Sequence, residues 1–135
     1  MSGACLREAE LRNAILIKAE LDGACLHSAN LEDANLRESS LGGANFKAAD
    51  LMRADLSDAE MGRADLQRAN LKGAKVTVEQ LSTVATLYEA ILDQTLKEKI
   101  EEEHPKLLLR PKDEEKEICN KVCGEKKLDR FSDSF

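Results

Sequence analysis

An apolar residue, usually leucine, returns every five residues from Leu6 to Leu81 without a single insertion. Alanine stands two residues before almost every member of this series, and Ser39 is the exception within the regular quintets. A step of five rotates a side chain by about 140° on a helix and flips it to the opposite face of a flat strand. Because neither element keeps the series on one face, the chain must bend once in every quintet. Repeated bending winds it into a coil that encloses the leucine and alanine columns.

Several quintets match the motif A(D/N)Lxx letter for letter: Ala34-Asn35-Leu36, Ala54-Asp55-Leu56, Ala64-Asp65-Leu66 and Ala69-Asn70-Leu71. Residues 4–81 therefore resemble the pentapeptide-repeat family. The resemblance implies a mainly β fold, a right-handed quadrilateral parallel β-helix with four quintets in each coil. Sixteen quintets then give about four coils. Alanine suits the positions where the wall lies closest to the axis, because only a methyl group fits there.

Helix signals begin where the five-residue register ends. Thr77 and Gln80 form a capping-box pattern, and apolar residues at helical spacing predict a helix over 77–92. A second helix is predicted from Asp93 toward Glu103, before Pro105. We expect these helices to cap the open end of the β-helix, whose exposed backbone groups would otherwise favour aggregation. The stretch 78–109 is also similar to the tail that follows the repeats in many prokaryotic family members.

The chain is therefore divided into a repeat domain over residues 4–81, capping helices over 77–103, and a remainder over 104–135. Within the remainder we expect an extended segment at 106–111, a weak helix over about 113–122 and a frayed end. We expect no comparable cap before the repeats, because residues 1–3 are too few to cover a coil. Ile15 and Ile17 occupy outward positions on the first coil, where a polar residue is usual. We therefore expect a homodimer contact through the N-terminal coil, and the alternative is that the chain is cut from something larger.

The charge distribution and residue inventory exclude several function classes. Residues 1–75 carry ten Lys and Arg against twelve Asp and Glu, so this region offers neither a basic nucleic-acid surface nor a strongly acidic rod. No apolar run is long enough to cross a membrane and no targeting signal is visible, which favours a cytoplasmic protein. The chain holds two histidines, and no catalytic motif occurs. We expect no enzyme activity, no cofactor and no metal site.

Four cysteines are present, and none has a convincing metal-ligand spacing. Cys5 and Cys25 lie twenty residues apart, which would stack them on adjacent coils about 4.8 Å apart. That separation slightly exceeds the span between Cβ atoms in a relaxed disulfide, so two free thiols are expected. Cys119 and Cys123 are four residues apart in the weak helix, a spacing that disfavours a disulfide between them.

Positions twenty residues apart fall on the same face of the coil. On one face Arg7, His27 and Lys47 form a mildly basic column. The simplest interpretation is a solvated face, and the alternative is a binding surface for an anion or an acidic partner. With Ile15 and Ile17, these residues are the candidate interaction surface.

Three functions remain compatible with the sequence. The first, which we favour, is a protein-interaction or scaffolding module that binds its partner, expected to be a protein, through rigid outer walls. The second is a DNA-mimicking inhibitor of DNA gyrase or another type II topoisomerase, as some pentapeptide-repeat proteins are. The near-neutral repeat region weighs against it, because those inhibitors are strongly acidic. The third is an accessory repeat module of a larger assembly.

Overall fold

The fold is a coil built from single parallel bridges between residues twenty positions apart. A computed structural model describes residues 2–111 of the 135-residue chain. One series of bridges runs from Cys5 to Cys25, Asn45 and Asp65. Three further series start at Glu10, Ile15 and Glu20, and each also advances by twenty residues. One circuit of the chain therefore takes twenty residues and has four walls.

The walls are numbered here in chain order. Wall 1 begins at residues 5–7, wall 2 at 10–12, wall 3 at 15–17 and wall 4 at 20–22, and each continues at positions twenty residues later. Walls 1 and 3 therefore lie opposite each other, as do walls 2 and 4. Within residues 2–75 each wall contributes one bridged residue per circuit and no longer strand.

The apolar columns fill the interior, as the five-residue period predicts. Leu26, Phe46 and Leu66, the centres of wall 1 in successive circuits, are all completely buried. The alanines two residues before them, such as Ala44, are equally inaccessible. Ser39, the exception in the alanine column, is buried and its Oγ donates to the Leu36 carbonyl at 2.6 Å. The hydroxyl is thus satisfied locally, and we assign it no further role.

Each corner is a tight turn with a left-handed residue. The Ala9 N–H donates to the Leu6 carbonyl at 3.0 Å, and the same bond recurs in the following quintets. The third residue of each such turn has a φ near +60°, as at Glu8 and Lys18, which is the requirement of a type II turn. Glycine takes this place at some corners, including Gly23 and Gly43. This repeated positive φ is the bend that the sequence period demands.

Backbone hydrogen bonds join each circuit to the next. Leu16 N–H donates to the Asn35 carbonyl at 2.7 Å, and Asn35 N–H donates back to the Ala14 carbonyl at 2.9 Å. This two-bond pattern repeats on every wall. Side chains add a second layer, because Asn45 Oδ1 accepts from the Lys47 N–H and Asp65 Oδ1 accepts from the Gln67 N–H. Both the backbone and its turns are therefore fixed by hydrogen bonds.

The repeat region is followed by a short helix, α1 (Val78–Leu81), which begins at the predicted capping box. The Thr77 side chain accepts from the Gln80 N–H, and the Gln80 side chain accepts from the Thr77 N–H. Gln80 also donates through Nε2 to the carbonyls of Leu56 and Ala59. Leu81 is completely buried in the core. One glutamine thus ties the helix start to the last circuit.

The prediction of a continuous helix over 77–92 is wrong. After α1 the chain returns to the coil, where Thr86 bridges Asp65 on wall 1 and Ile91 bridges Asn70 on wall 2. These pairs are twenty-one residues apart, because α1 shifts the register by one. This shift conceals two further quintets in the sequence. Their Ala-x-Leu parts are Ala85-Thr86-Leu87 and Ala90-Ile91-Leu92. Glu89 has a φ of 59° and occupies a corner, so it does not continue a helix.

The second predicted helix is confirmed as α2 (Gln94–Glu103). Its N-cap residue, Asp93, accepts through its carboxylate from the Gly73 N–H at 3.1 and 3.2 Å instead of capping the helix itself. Ile100 is completely buried in the core. The expected extended segment at 106–111 is partly wrong, since a 3-10 helix occupies Pro105–Leu108, with proline at its first position. The weak helix expected over 113–122 and the frayed end lie outside the described residues.

The two ends of the coil differ in burial. Leu71 on the last regular circuit is completely buried, whereas three of the four first-circuit leucines are half-buried: Leu6, Leu11 and Leu16. The fourth, Leu21, is completely buried. Among residues 2–111, no helix is long and apolar enough to cross a membrane.

Candidate functional site

The basic column lies on wall 1. Arg7, His27 and Lys47 each follow a bridged residue of that wall, so the twenty-residue ladder stacks them on successive circuits. Each of these residues is half-buried. The sequence pattern correctly groups the three residues on one wall.

The pKa of the His27 imidazole is lowered from its ordinary value. Partial burial is the largest cause of this lowering, and the positive charges of Arg7 and Lys47 lower the pKa further. The Ser28 hydroxyl lies 3.1 Å from His27 Nδ1 on the exposed surface. That contact joins two neighbours in sequence. Among residues 2–111 no hydrogen bond to a carboxylate orients the imidazole, as a nucleophilic triad requires.

A buried carboxylate lies beside this column, and the sequence analysis missed its burial. Asp65 is 4% exposed. Its Oδ1 accepts from the Gln67 N–H at 2.9 Å, but its Oδ2 has no hydrogen-bond partner among the described residues. Burial raises the pKa of Asp65 more than this bond and the charges of Lys47 and His27 lower it. Its neighbour in the ladder, Asn45, carries the same backbone bond without a charge.

We predict that Asp65→Asn stabilises the protein at neutral pH. A carboxyl group whose pKa is higher in the folded state than in the unfolded state stabilises the fold at pH values below its unfolded-state pKa. That stabilisation is lost as the pH rises through the folded-state pKa. Because burial disfavours the charged form of the wild-type carboxyl group, the neutral amide should add about 1 kcal/mol to the free energy of unfolding at neutral pH. Urea denaturation at pH 4 and pH 7 should show that the gain grows with pH.

Asp55→Asn is the matched control on wall 3. The pKa of Asp55 is lowered, chiefly by the hydrogen bond from the Ser57 hydroxyl. The stabilisation that the Asp55 carboxylate gives the folded protein is therefore present above its unfolded-state pKa and is lost as the pH falls. At neutral pH the Asp55→Asn variant should be less stable than wild type. An Asp65→Asn gain that is the same at both pH values would contradict the burial argument.

Ile15 and Ile17 lie on wall 3, opposite the basic column. Ile15 is 78% exposed and Ile17 is 45% exposed. Later circuits carry polar residues at these positions of wall 3, including Asn35 and Arg37. The structure therefore divides the predicted interaction surface into two separate patches, a basic one on wall 1 and an apolar one on wall 3.

An exposed charge cluster spans three circuits at the corner between walls 2 and 3. Arg53 donates to both carboxylate oxygens of Asp33, at 2.9 and 3.1 Å, and also to Glu32. Arg12 lies 3.5 Å from the other oxygen of Glu32. Because each charge in the cluster has an opposite charge beside it, we interpret the cluster as a link between circuits and not as a ligand site.

A groove of about 500 Å³ lies between the end of the coil and α2. Apolar side chains contribute to its lining: Ala74, Val76, Val78 and Leu96. The same lining includes three carboxylates, those of Glu79, Asp93 and Glu103, against one lysine, Lys99, so its charge balance is negative. Its charge is opposite to that of the basic column, so the groove is a separate feature.

The expectation of two free thiols at Cys5 and Cys25 is wrong, since both residues are disulfide-bonded. Their backbones are bridged as expected. The prediction considered only the spacing of stacked positions, which does not by itself decide whether a sulfur is oxidised. Cys119 and Cys123 lie outside the described residues. Within residues 2–111, no group of three or more His, Cys, Asp or Glu side chains is arranged to hold a metal ion.

Comparison with known families identifies the repeat pattern. The family described as pentapeptide repeats, with eight copies, matches residues 1–33, 29–68 and 54–77. These matches cover more than half of the chain. No curated protein sequence matches it.

Solved structures of repeat proteins are also similar to this chain. A pentapeptide-repeat protein from Nostoc is 31% identical, with a TM-score of 0.37, and the match covers 66% of this chain and 84% of that one. One from the thylakoid lumen of Arabidopsis thaliana is 24% identical over 73% of this chain and 74% of that one, with a TM-score of 0.30. A third, from the cyanobacterium Cyanothece, is 17% identical over 68% and 90%, with a TM-score of 0.33.

Proposed function

Because the chain belongs to the pentapeptide-repeat family, we propose that it is a non-enzymatic protein-binding module. The supporting observation is the two-bond ladder that joins every circuit to the next. Hydrogen bonds between circuits use the backbone N–H and C=O groups of the walls, and apolar side chains fill the interior. The outward side chains of the walls are then available to contact a partner at fixed, repeated spacings. Such preorganisation lowers the entropy cost of binding.

We propose wall 1 as the binding face. Arg7, His27 and Lys47 present one basic column there, and the two cations act on the same imidazole. An acidic segment of a partner protein fits such a column, because complementary charge speeds association and orients the partner. The repeat region as a whole has a small negative balance, so the binding face is a local feature.

We also infer the finer architecture of the solenoid. Circuits of twenty residues imply about four right-handed coils over the regular repeats, as the family resemblance suggests. Leu81, Leu87 and Ile100 are buried together with the leucines of the last circuit, which supports a capping role for the C-terminal segment. The α1 and α2 helices then serve as the lid of the coil.

Affinity capture with matched charge variants tests the binding face. Lys47→Glu reverses a charge on wall 1, and Lys72→Glu makes the same change on wall 2. We expect wild type and Lys72→Glu to retain the same partner protein from an extract of the source cell. Lys47→Glu should weaken that binding about tenfold, which is typical for a side chain in the middle of an interface. Isothermal titration with the purified partner then measures the change.

Thermal denaturation of each variant separates lost binding from lost folding. Equal capture by Lys47→Glu and Lys72→Glu would contradict the assignment of wall 1. If wild type retains no protein that the unfolded chain does not also retain, the binding function itself is contradicted.

A further inference from the structure

The groove between the end of the coil and α2 has an apolar lining that the described residues cover only in part. Its four apolar side chains are half-buried against the hydrophobic core: Ala74, Val76, Val78 and Leu96. The α2 residues of the lining include Thr95, Lys99 and Glu103, which recur every four residues along one face of the helix. The lining therefore continues the core into a space of about 500 Å³.

The charge of this lining is negative. One lysine minus three carboxylates gives a formal balance of -2. The Asp93 carboxylate is already engaged, because it accepts from the Gly73 N–H. Glu79 and Glu103 are exposed, and neither forms an ion pair with another residue of 2–111. Such a lining fits a segment that combines apolar side chains with cations.

The sequence beyond the described residues contains a segment of this kind. Three cations and one carboxylate give it a balance of +2, and it also carries two large apolar residues: Lys126-Lys127-Leu128-Asp129-Arg130-Phe131. The preceding stretch, 112–120, has the opposite character, because it holds two lysines against four carboxylates and one large apolar residue, Ile118. Charge complementarity to the groove is therefore a property of residues 126–131.

The chain between the two is long enough for this segment to reach the groove. Glu103 lies in the lining, and eight residues, 104–111, lead from it to the last described residue, Pro111. Fourteen further residues, 112–125, precede the segment. Because an extended chain advances at most about 3.6 Å per residue, fourteen residues can span about 50 Å, whereas eight cover about 29 Å at most. The chain can therefore return to Glu103 with length to spare.

We propose that residues 126–131 of the same chain dock in this groove. Leu128 and Phe131 then contact the apolar lining, and the three cations of the segment lie near the carboxylates of Glu79 and Glu103. A tethered segment has an effective concentration on the order of 1 mM, so a weak contact is sufficient to hold it. This argument favours the chain's own segment over a separate protein. The docking does not depend on the partner proposed for wall 1, whose basic column does not line the groove.

Tryptophan fluorescence of the full chain tests the docking, because the sequence contains no tryptophan. Phe131→Trp places an indole in the docking segment, and Phe135→Trp makes the same change four residues later as the matched control. We expect the Phe131→Trp emission at shorter wavelength than that of the control. Acrylamide should also quench it less, because the docked ring is shielded from water.

Charge reversal of the lining tests whether the groove is the docking site. In the Phe131→Trp background, Glu79→Lys/Glu103→Lys should weaken docking about tenfold, because it removes two exposed ion pairs. The emission should therefore move toward that of the Phe135→Trp control. Glu98→Lys/Glu101→Lys is the matched control on α2, since neither residue lines the groove, and it should leave the emission unchanged.

A charge swap tests the pairing directly. Adding Lys126→Glu/Lys127→Glu to the Glu79→Lys/Glu103→Lys variant should restore the emission at shorter wavelength, because opposite charges face each other again. Thermal denaturation of each variant separates lost docking from lost folding.

Four results would overturn the proposal. The first is the same emission and quenching for Phe131→Trp and Phe135→Trp. The second is a Phe131→Trp emission that Glu79→Lys/Glu103→Lys does not change, or changes no more than the α2 control. The third is a charge swap that restores nothing. The fourth is a shift that grows with protein concentration between about 1 and 100 µM, because docking within one chain is independent of concentration and the groove would then hold a second copy.

Discussion

Truncating the chain after Val76 should make the remaining protein aggregate or associate into larger species. The cut exposes the apolar ends of Leu66 and Leu71, which are completely buried in the intact chain. It also removes the backbone acceptors of these residues, the carbonyls of Thr86 and Ile91 at 3.1 and 2.8 Å. An open coil end that combines apolar side chains with unpaired backbone groups is prone to association. Light scattering and sedimentation of the purified truncation give the measurement.

Single substitutions in α2 give the same test with the chain intact. Ile100 is completely buried, so Ile100→Asp places a charge in the core and should destabilise the protein by more than about 4 kcal/mol. Lys97→Asp on the exposed side of the same helix is the control and should have little effect. A well-folded monomer after truncation at Val76 would refute the capping role of the C-terminal segment.

Phe46→Ala should destabilise the protein by about 3–5 kcal/mol. Phe46 is completely buried between Leu26 and Leu66 in the same column of wall 1. The circuits above and below are fixed by backbone ladders, so they cannot collapse into the space that the ring leaves. Equilibrium denaturation in urea should show a lower midpoint with an unchanged slope.

Phe46→Leu is the matched control, because leucine is the residue at this position in the neighbouring circuits. It should cost roughly 1–1.5 kcal/mol or less, since it largely preserves volume. If Phe46→Ala costs no more than Phe46→Leu, the interior is less tightly packed than the columns imply.

Most of the repeat fold could be predicted from the spacing of leucine and alanine. Because the period of five excludes both regular elements, it fixes where the chain bends and which columns face inward. The C-terminal part was harder, because Val84, Leu87, Tyr88 and Ile91 fit helical spacing as well as they fit two shifted quintets. The Ala-x-Leu pairs at 85–87 and 90–92 were the available signal. A search that permits a change of register would have found them.

The candidate site was only partly predictable. Period-twenty stacking correctly placed Arg7, His27 and Lys47 on one wall, and it also places Ile15 and Ile17 on the opposite one. It gave no indication that Asp65 is buried, since the same ladder position on wall 3, Asp55, is only half-buried and hydrogen-bonded. Burial of outward residues differs from wall to wall, and a repeat pattern alone treats the walls as equal.

The corner after Lys75 shows how this fold accommodates foreign sequence. The chain leaves the ladder there, forms α1, and rejoins wall 1 at Thr86 with its register advanced by one residue. The circuits before and after α1 stay paired, because the hydrogen bonds between circuits hold them together. The number of residues in the intervening segment does not change those bonds. A peptide inserted at such a corner should be displayed on the outside of the coil, while the circuits on either side of it still pair with each other. Corners are therefore the natural sites for enlarging or decorating this scaffold.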